Sequence, residues 1–316
     1  MNPTEVRVVF MGSPAFAVPS LIALATAGYD VVGVVTQPDR PAGRGGAVHM
    51  PEVKAAALEL SLNVFQPETF KDTANIERLA SFAPDLFVVA AYGKILPRTV
   101  LAIPRRGTVN VHASLLPRWR GASPINAAIL AGDAQTGVSI MEMVFKMDAG
   151  PVISTTTTPI LASDTTATLE PRLAQLGAGA LVETLPRWLD GDTHAVPQDE
   201  DRVTYCHTLK KEEGHLRADM TATEAERAVR AYDPWPGAYV LYRGERLAIW
   251  QTTLVETPDD QAPGAVSVVG RSPAVTFADG QALVLEAVQK PGGRRISGEQ
   301  FLNGERGKLE SKVTLA

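Results

Sequence analysis

The chain has almost no cysteine. Cys206 is its single one, which excludes an intramolecular disulfide framework and any cysteine-built metal site. A lone cysteine reads as a small buried filler before it reads as a nucleophile. Histidine is sparse as well. His49, His112, His194, His207 and His215 show no H-E-x-x-H spacing and have no cysteine partners, so no metal is expected. Long apolar runs are missing: none reaches the roughly 18 residues of a membrane span. The N-terminal MNPTEVRVVFMG enters its first apolar run without the basic segment of a secretion signal. A soluble, cytoplasmic protein that does not engage membranes is expected. There is no G-x-G-x-x-G after the first apolar run and no G-x-x-x-x-G-K-[ST], so the sequence lacks the phosphate cradles of dinucleotide and P-loop proteins. Positive charge is not in excess either. The net charge is −5, with 15 basic against 20 acidic residues up to Asp201 and 15 against 15 beyond it. Any nucleic-acid contact must therefore use local groups of Arg and Lys.

What is present is an alternation of strands and helices, on a chain of 316 residues that suits two domains. Apolar runs at 6–11, 31–35, 86–90 and 109–112 are nearly continuous rather than alternating. Helical stretches separate them, the first carrying Phe16, Leu21 and Leu24 after a Gly12-Ser13-Pro14 turn. Continuous runs read as strands buried on both faces, hence as a parallel sheet. A helix is expected over 162–189, starting at Ser163 or Asp164. The polar, acidic stretch that follows contains Gly191 and Pro197 and reads as a linker. A short helix over 221–232 has Thr223 and Glu226 spaced like a capping box. After Pro234-Trp235-Pro236-Gly237 the pattern turns to alternating strands at 238–242, 247–252 and 283–287. The expected fold is α/β: an N-terminal Rossmann-like, mostly parallel sheet with helices on both faces over 1–189, a linker over 190–207, and a smaller OB-like β-barrel over 208–316. Residues 308–316 match no recognisable pattern and read as a tail.

The densest chemistry lies in Asn110-Val111-His112-Ala113-Ser114-Leu115-Leu116-Pro117. Residues two apart share a face of a strand, so Asn110, His112 and Ser114 are expected to project together from a strand's C-terminal end, where open α/β sheets bind ligands. Three polar side chains on one face need partners, a ligand or a hydrogen-bonded strand end. Arg118 and Arg120 follow in a loop shaped by glycine and prolines. They are either a solvated pair or a clamp for a carboxylate tail. Asp148, ahead of Ala149-Gly150-Pro151, is by itself a turn former and gains significance only if the fold brings it beside His112.

The pattern N-x-H-x-S-L-L-P-x-x-R-G-x-x-P, met from Asn110 to Pro124, resembles the signature of the 10-formyltetrahydrofolate-dependent formyltransferases and hydrolases. Asp148, downstream of Thr136-Gly137-Val138-Ser139-Ile140, falls at the position of that family's catalytic aspartate. Three further segments are similar to the branch that formylates methionyl-tRNA. Thr36-Gln37-Pro38-Asp39-Arg40-Pro41-Ala42-Gly43-Arg44-Gly45 resembles its insertion loop, which enters the acceptor stem. Tyr232-Asp233-Pro234-Trp235-Pro236-Gly237-Ala238 resembles its N-P-W-P-G segment, with Asp233 in place of Asn. Phe301-Leu302-Asn303-Gly304 resembles its terminal F-L-N-G. The chain departs from the pattern after Lys211-Glu212-Glu213, where the family's Asp-Trp does not follow.

The resemblance implies transfer of a formyl group from 10-formyltetrahydrofolate to the α-amine of methionyl-initiator tRNA, without a metal. It implies that Asn110, His112 and Asp148 are catalytic. It places the folate along Ser114, Leu115, Leu116 and Pro117 and the loop with Ala90, Tyr92 and Gly93, and it turns Arg40 and Arg44 toward tRNA. A monomer is expected. Within the trio, the amide of Asn110 is the natural oxyanion donor. His112 would stabilise charge or shuttle a proton, and Asp148 would orient it. The competing readings are a formyltransferase for a different small amine, and a non-catalytic folate- or RNA-binding module. The latter has no need of the three residues together.

Overall fold

The computed structural model describes residues 2–42, 47–256, 261–305 and 308–316. They divide into two compact units, one from 1–124, 135–159 and 170–207, the other from 125–134, 160–169 and 208–316.

The first unit is built on a seven-stranded sheet in the order β10-β9-β7-β6-β1-β2-β5. Its strands are β1 (Arg7–Gly12), β2 (Asp30–Val35), β5 (Val64–Phe65), β6 (Leu86–Ala90), β7 (Thr108–His112), β9 (Gln135–Glu142) and β10 (Val152–Pro159). Two short antiparallel strands, β3 (Arg40–Ala42) and β4 (Ala47–His49), form a separate ribbon. The strands from β5 to β7 are mutually parallel, whereas β9 and β10 run antiparallel along one edge. All of β6 and β7, and β1 after Arg7, are buried, which is why β1 and β6 run apolar without alternation; β7 instead alternates Val with Thr108, Asn110 and His112. Val9, Met11, Val35, Phe65, Phe87 and Val89 share one core, each large side chain contributing about 1.5–3 kcal/mol by burial. The connecting helices are α1 (Val18–Thr26), which buries Leu21 and Leu24, α2 (Glu52–Glu59), α3 (Thr73–Ser81) and α4 (Arg98–Leu101). The strand order reverses at β1: β2 lies on one side and β6 on the other. Connections leave in opposite directions there, so the C-terminal ends of β1, β6 and β7 border the crevice where such sheets take ligands.

Two local expectations shift. The helix expected from Ser163 or Asp164 is α6 (Thr166–Leu189). Asp164 Oδ2 accepts from Leu161 N at 2.7 Å, closing a turn that delays the helix. Residues 190–207, read as a linker, belong to the first unit. Val196 pairs with Val152 through two 2.8 Å backbone bonds, and β11 (Tyr205–Cys206) runs parallel to β8 (Arg120–Gly121).

The second unit contains α5 (Pro124–Ala131) beyond its first residue and α7 (Ala222–Ala231), tied by a 2.6 Å bond from Asn126 Nδ2 to the Ala231 carbonyl. The capping box of α7 is Thr221 with Glu224, two residues before the expected pair. Glu226 instead pairs with Arg230 one turn on. The sheet of this unit is antiparallel, β12 (Ala238–Tyr242), β13 (Glu245–Val255), β16 (Ala282–Gln289), β15 (Ser272–Thr276) and β14 (Val266–Val269) in spatial order, with β17 (Ile296–Ser297) added on β16. Its edge strands are β12 and β14. The chain's last residues, expected as a tail, bridge them: Thr314 exchanges two backbone bonds with Leu241 at 3.0 and 2.8 Å, and Val266 N donates to Ser311 at 2.9 Å. This seam supplies partners to edge groups that an open sheet would leave bare, and it closes the barrel. The F-L-N-G segment lies in α8 (Gly298–Gly304), where Phe301 is buried and packs edge-on against Tyr242.

Candidate active site

Asn110 and His112 sit two residues apart at the end of β7, both buried. The period of the strand puts them on one face. His112 Nε2 lies 3.0 Å from the carbonyl oxygen of Trp119. A carbonyl only accepts, so Nε2 carries the hydrogen and the second ring nitrogen is left to exchange a proton. That nitrogen, Nδ1, is 3.8 Å from Asp148 Oδ1. The separation is slightly beyond a direct hydrogen bond, a common state of catalytic pairs without substrate. Among the described residues no hydrogen bond engages the side chain of Asn110, so its amide is available to a ligand.

Asp148 reaches His112 from the turn between β9 and β10, with a left-handed φ of 47°. A non-glycine residue there stores on the order of 1 kcal/mol or more of strain. The turn holds because it is bonded on both sides. Gly121 N donates to Asp148 Oδ2 at 2.9 Å, and Gln198 Nε2 donates to the carbonyls of Asp148 at 2.8 Å and Gly150 at 2.7 Å. Two glycines let the backbones come so near. A Cβ on Gly121 would stand 1.9 Å from the Cys206 carbonyl oxygen, and one on Gly150 would stand 1.7 Å from that of Glu142.

The loop after His112 is held by buried hydroxyls. Ser114 Oγ donates to the Arg118 carbonyl at 2.6 Å, so that hydroxyl is committed to the loop. Ser139 Oγ on β9 donates to the Ser114 carbonyl at 2.7 Å and accepts from Leu116 N at 3.1 Å. The Leu116–Pro117 peptide bond is cis. The Arg118 guanidinium lies 4.8 Å over the Trp119 ring, whereas Arg120 is fully buried. Arg120 therefore belongs to neither of the expected arrangements. Its Nε donates to Gln198 Oε1 at 3.0 Å and its Nη2 to Glu200 Oε1 at 2.7 Å. Together with a 3.2 Å bond from Lys146 Nζ, the bond from Arg120 holds the Glu200 carboxyl below the usual glutamate range. Cys206 turns its thiol toward the Trp119 and Arg120 carbonyls, and burial pushes it up to about 11, so it is no nucleophile near neutral pH.

At the end of β6, Ala90 is buried, Ala91 has a φ of 45° and Gly93 one of 76°. The Tyr92 ring packs against Phe70, burial raises its hydroxyl, and its carbonyl accepts from Gln37 Nε2 at 3.0 Å. Lys94 donates to the carbonyls of Pro67 and Glu68. Its ammonium is lowered, first by burial, with Arg40 adding like-charge repulsion. Arg40 is exposed at the start of β3. Lys54, Asp39 and Gln66 brace the foot of its loop through contacts of 2.6–2.8 Å. Arg44 lies outside the described residues. The structure thus puts Asn110 and His112 on one face of β7, with Asp148 beside His112, and the charge of Arg40 acts on Lys94. Sequence reasoning missed Ser139, Gln198 and Glu200. Their signal was weak, because each acts on groups remote in sequence, Ser139 and Gln198 on backbone and Glu200 on the Arg120 and Lys146 side chains. Among the described residues no group of three or more His, Cys, Asp and Glu could hold a metal ion, and no helix is long and apolar enough to cross a membrane.

Comparison with known proteins converges on one family. Residues 6–185 match the formyl transferase model and 208–306 match that of the formyl transferase C-terminal domain. Methionyl-tRNA formyltransferase of Acidithiobacillus ferrooxidans is 47% identical over 300 residues, 95% of this chain and 96% of its own. The protein of the same name from Methylococcus capsulatus is 46% identical over 297 residues, 94% and 96% of the two chains. Among solved structures, an N-formyltransferase from Helicobacter canadensis, in complex with folinic acid and dTDP-3-aminofucose, shares the fold with a TM-score of 0.65 at 17% identity, covering 90% of this chain and 99% of that one. HypX from Aquifex aeolicus, in complex with tetrahydrofolic acid, does so with a TM-score of 0.63 at 17% identity, over 95% of this chain and 47% of its own.

Proposed function

This chain belongs to the formyl transferase family, and from that premise we propose that it transfers the formyl group of 10-formyltetrahydrofolate to the α-amine of methionyl-initiator tRNA, producing N-formylmethionyl-tRNA for the start of translation. The observation that carries the chemistry is the approach of His112 Nδ1 to Asp148 at 3.8 Å, with Asn110 two residues back along the same face of β7. The near-full-length identity with methionyl-tRNA formyltransferases supports the choice of amine.

Each residue has a task that its surroundings permit. The amide of Asn110, uncommitted within the described residues, donates to the formyl oxygen as it gains charge. The amine attacks as a free base. His112 Nδ1 accepts its proton, directly or through water, while the Asp148 carboxylate stabilises the imidazolium. A C–N bond forms to the amine nitrogen, the bond from the formyl carbon to N10 breaks, and one proton is delivered to N10, so the site returns to its starting state. The folate fits the Ser114, Leu115, Leu116 and Pro117 turn and the Ala90, Tyr92 and Gly93 turn, two irregular segments at neighbouring strand ends with backbone polar groups for a heterocycle edge. Arg40 and Arg44 are assigned to the tRNA acceptor end, and the barrel of the second unit to the tRNA body. The enzyme is taken to act as a monomer in the cytoplasm.

The test is incubation of the purified chain with 10-formyltetrahydrofolate and methionyl-initiator tRNA, followed by detection of formylmethionine. Formylation of glycinamide ribonucleotide or a nucleotide amino sugar, with methionyl-tRNA untouched, would overturn the assignment.

A further inference from the structure

Asp148 is the most precariously held member of the trio. It stands outside regular structure, at a φ of 47°, and reaches His112 across the gap between two strands. Its carboxylate must stay aimed at Nδ1, so its backbone must be fixed. Gln198 does most of that fixing. One amide nitrogen donates to both the Asp148 and Gly150 carbonyls, which fixes the chain on the C-terminal side of the strained residue. An amide with this double task needs its own plane fixed, and its oxygen is bonded by Arg120 Nε at 3.0 Å. Arg120 is fully buried, and its Nη2 is pinned in turn by Glu200 at 2.7 Å. Glu200 also takes Lys146 Nζ at 3.2 Å, two residues ahead of Asp148. Through Glu200 and Gln198 the segment grips the turn at Lys146, Asp148 and Gly150. Arg120 adjoins Gly121, whose amide bonds the Asp148 carboxylate.

Resting on the catalytic role proposed for Asp148, we infer that Gln198 is a positioning residue of the reaction, oriented by Arg120 and acting only through the Asp148 turn. The stretch that reads as a linker then carries part of the catalytic apparatus. Rates are steeply sensitive to such placement: a displacement of about 1 Å costs up to roughly a hundredfold.

The test uses the full chain and formyl transfer to methionyl-tRNA. Gln198→Met keeps the length of the side chain and removes its donors and acceptor. Gln198→Glu keeps an acceptor for Arg120 and turns toward the two carbonyls a carboxylate oxygen, which cannot donate to them and repels them. Both are expected to lower kcat at least about tenfold, with KM for either substrate within about twofold; Gln198→Met, which also leaves the buried Arg120 Nε without its acceptor, should lower Tm as well, whereas Gln198→Glu keeps that bond. Placed in an Asp148→Ala background, Gln198→Met is expected to add no further loss, because residues acting through one another are not additive. A normal kcat in both single variants would overturn the inference, as would a full additional loss on top of Asp148→Ala. So would a raised KM at constant kcat, the sign of a substrate contact. Full turnover in Asp148→Ala alone would overturn the catalytic reading on which the inference rests, and the inference with it.

Discussion

The two halves of the candidate site are held in opposite ways. Asn110 and His112 stand on β7, inside the sheet, where backbone ladders fix their direction, on both sides of Asn110 and on the β9 side of His112. Asp148 stands on a strained turn between β9 and β10, fixed by side chains and backbone amides remote in sequence. Regular structure gives placement almost free of special residues. The turn requires two glycines, a buried arginine and a bridging amide. A strand can thus carry chemistry on any residue of the correct parity, whereas the turn can carry it only in one setting.

The largest effect should ignore this contrast. Asn110→Ala, His112→Ala and Asp148→Ala are each expected to lower kcat roughly a hundredfold or more, the scale for a lost oxyanion donor or proton-transfer group. Circular dichroism and thermal melts should show the fold intact. Near-normal turnover in any one removes that residue from the mechanism.

Gly121→Ala sharpens the contrast, because the added methyl collides with the Cys206 carbonyl oxygen at 1.9 Å and must push β8 away from β11. Loss of activity together with a Tm drop of several degrees is expected. An alanine variant with wild-type melting and turnover would show that the turn tolerates slack and would break the comparison.

The loop with Arg40 and Arg44 offers a third test, since neither residue serves the strand or the turn. Arg44→Ala and Arg40→Ala are expected to weaken kcat/KM for methionyl-tRNA about tenfold or more, the value of one good polar contact to a base or phosphate. Equilibrium affinity for a folate analogue should stay constant. If folate affinity collapses and tRNA use survives, the loop belongs to the folate site.

The smallest expected effect is a pH dependence confined to the turn. Arg120 and Lys146 hold the Glu200 carboxyl below its usual range. A depressed carboxyl contributes its stability above the ordinary glutamate range and loses it as pH falls through the lowered folded value. Glu200→Gln should therefore melt slightly lower than wild type at pH 7, less so in high salt, and the two should converge in acid. Urea titrations at both pH values measure it. A gap that persists or widens in acid contradicts the ion pairs as the cause.

The same contrast explains what was legible in the sequence. The strand at Leu86–Ala90 and the shared face of Asn110 and His112 follow from apolar continuity and a two-residue period, both local signals. The start of α6 was misjudged because a single side-chain bond, from Asp164 to Leu161 N, outweighs the helical pattern. The capping box was displaced because several Thr and Glu residues lie in helical register and only packing selects Thr221. Asp148 was found through its motif alone, since an Asp before a small residue and Gly-Pro reads as a turn wherever it occurs. The 190–207 stretch, polar and without period, carries no local sign that its side chains reach Asp148 and Arg120. The closing seam at 308–316 was invisible for a related reason: strand pairing there consists of backbone bonds to β12 and to the start of β14, and backbone bonds leave little trace in composition.

The anchoring of residues 196–200 has a consequence for how the molecule fluctuates. Among the described residues their backbone is joined to the sheet near the turn by the Val152–Val196 pair alone, while β7 is locked between two neighbours. Local opening draws on the least-bonded segments first, so this segment should exchange its amide hydrogens well before β7 does. Each such opening would release Asp148 and leave the sheet intact. Warming should therefore extinguish turnover some degrees before the global melt, with the loss fully reversible on cooling.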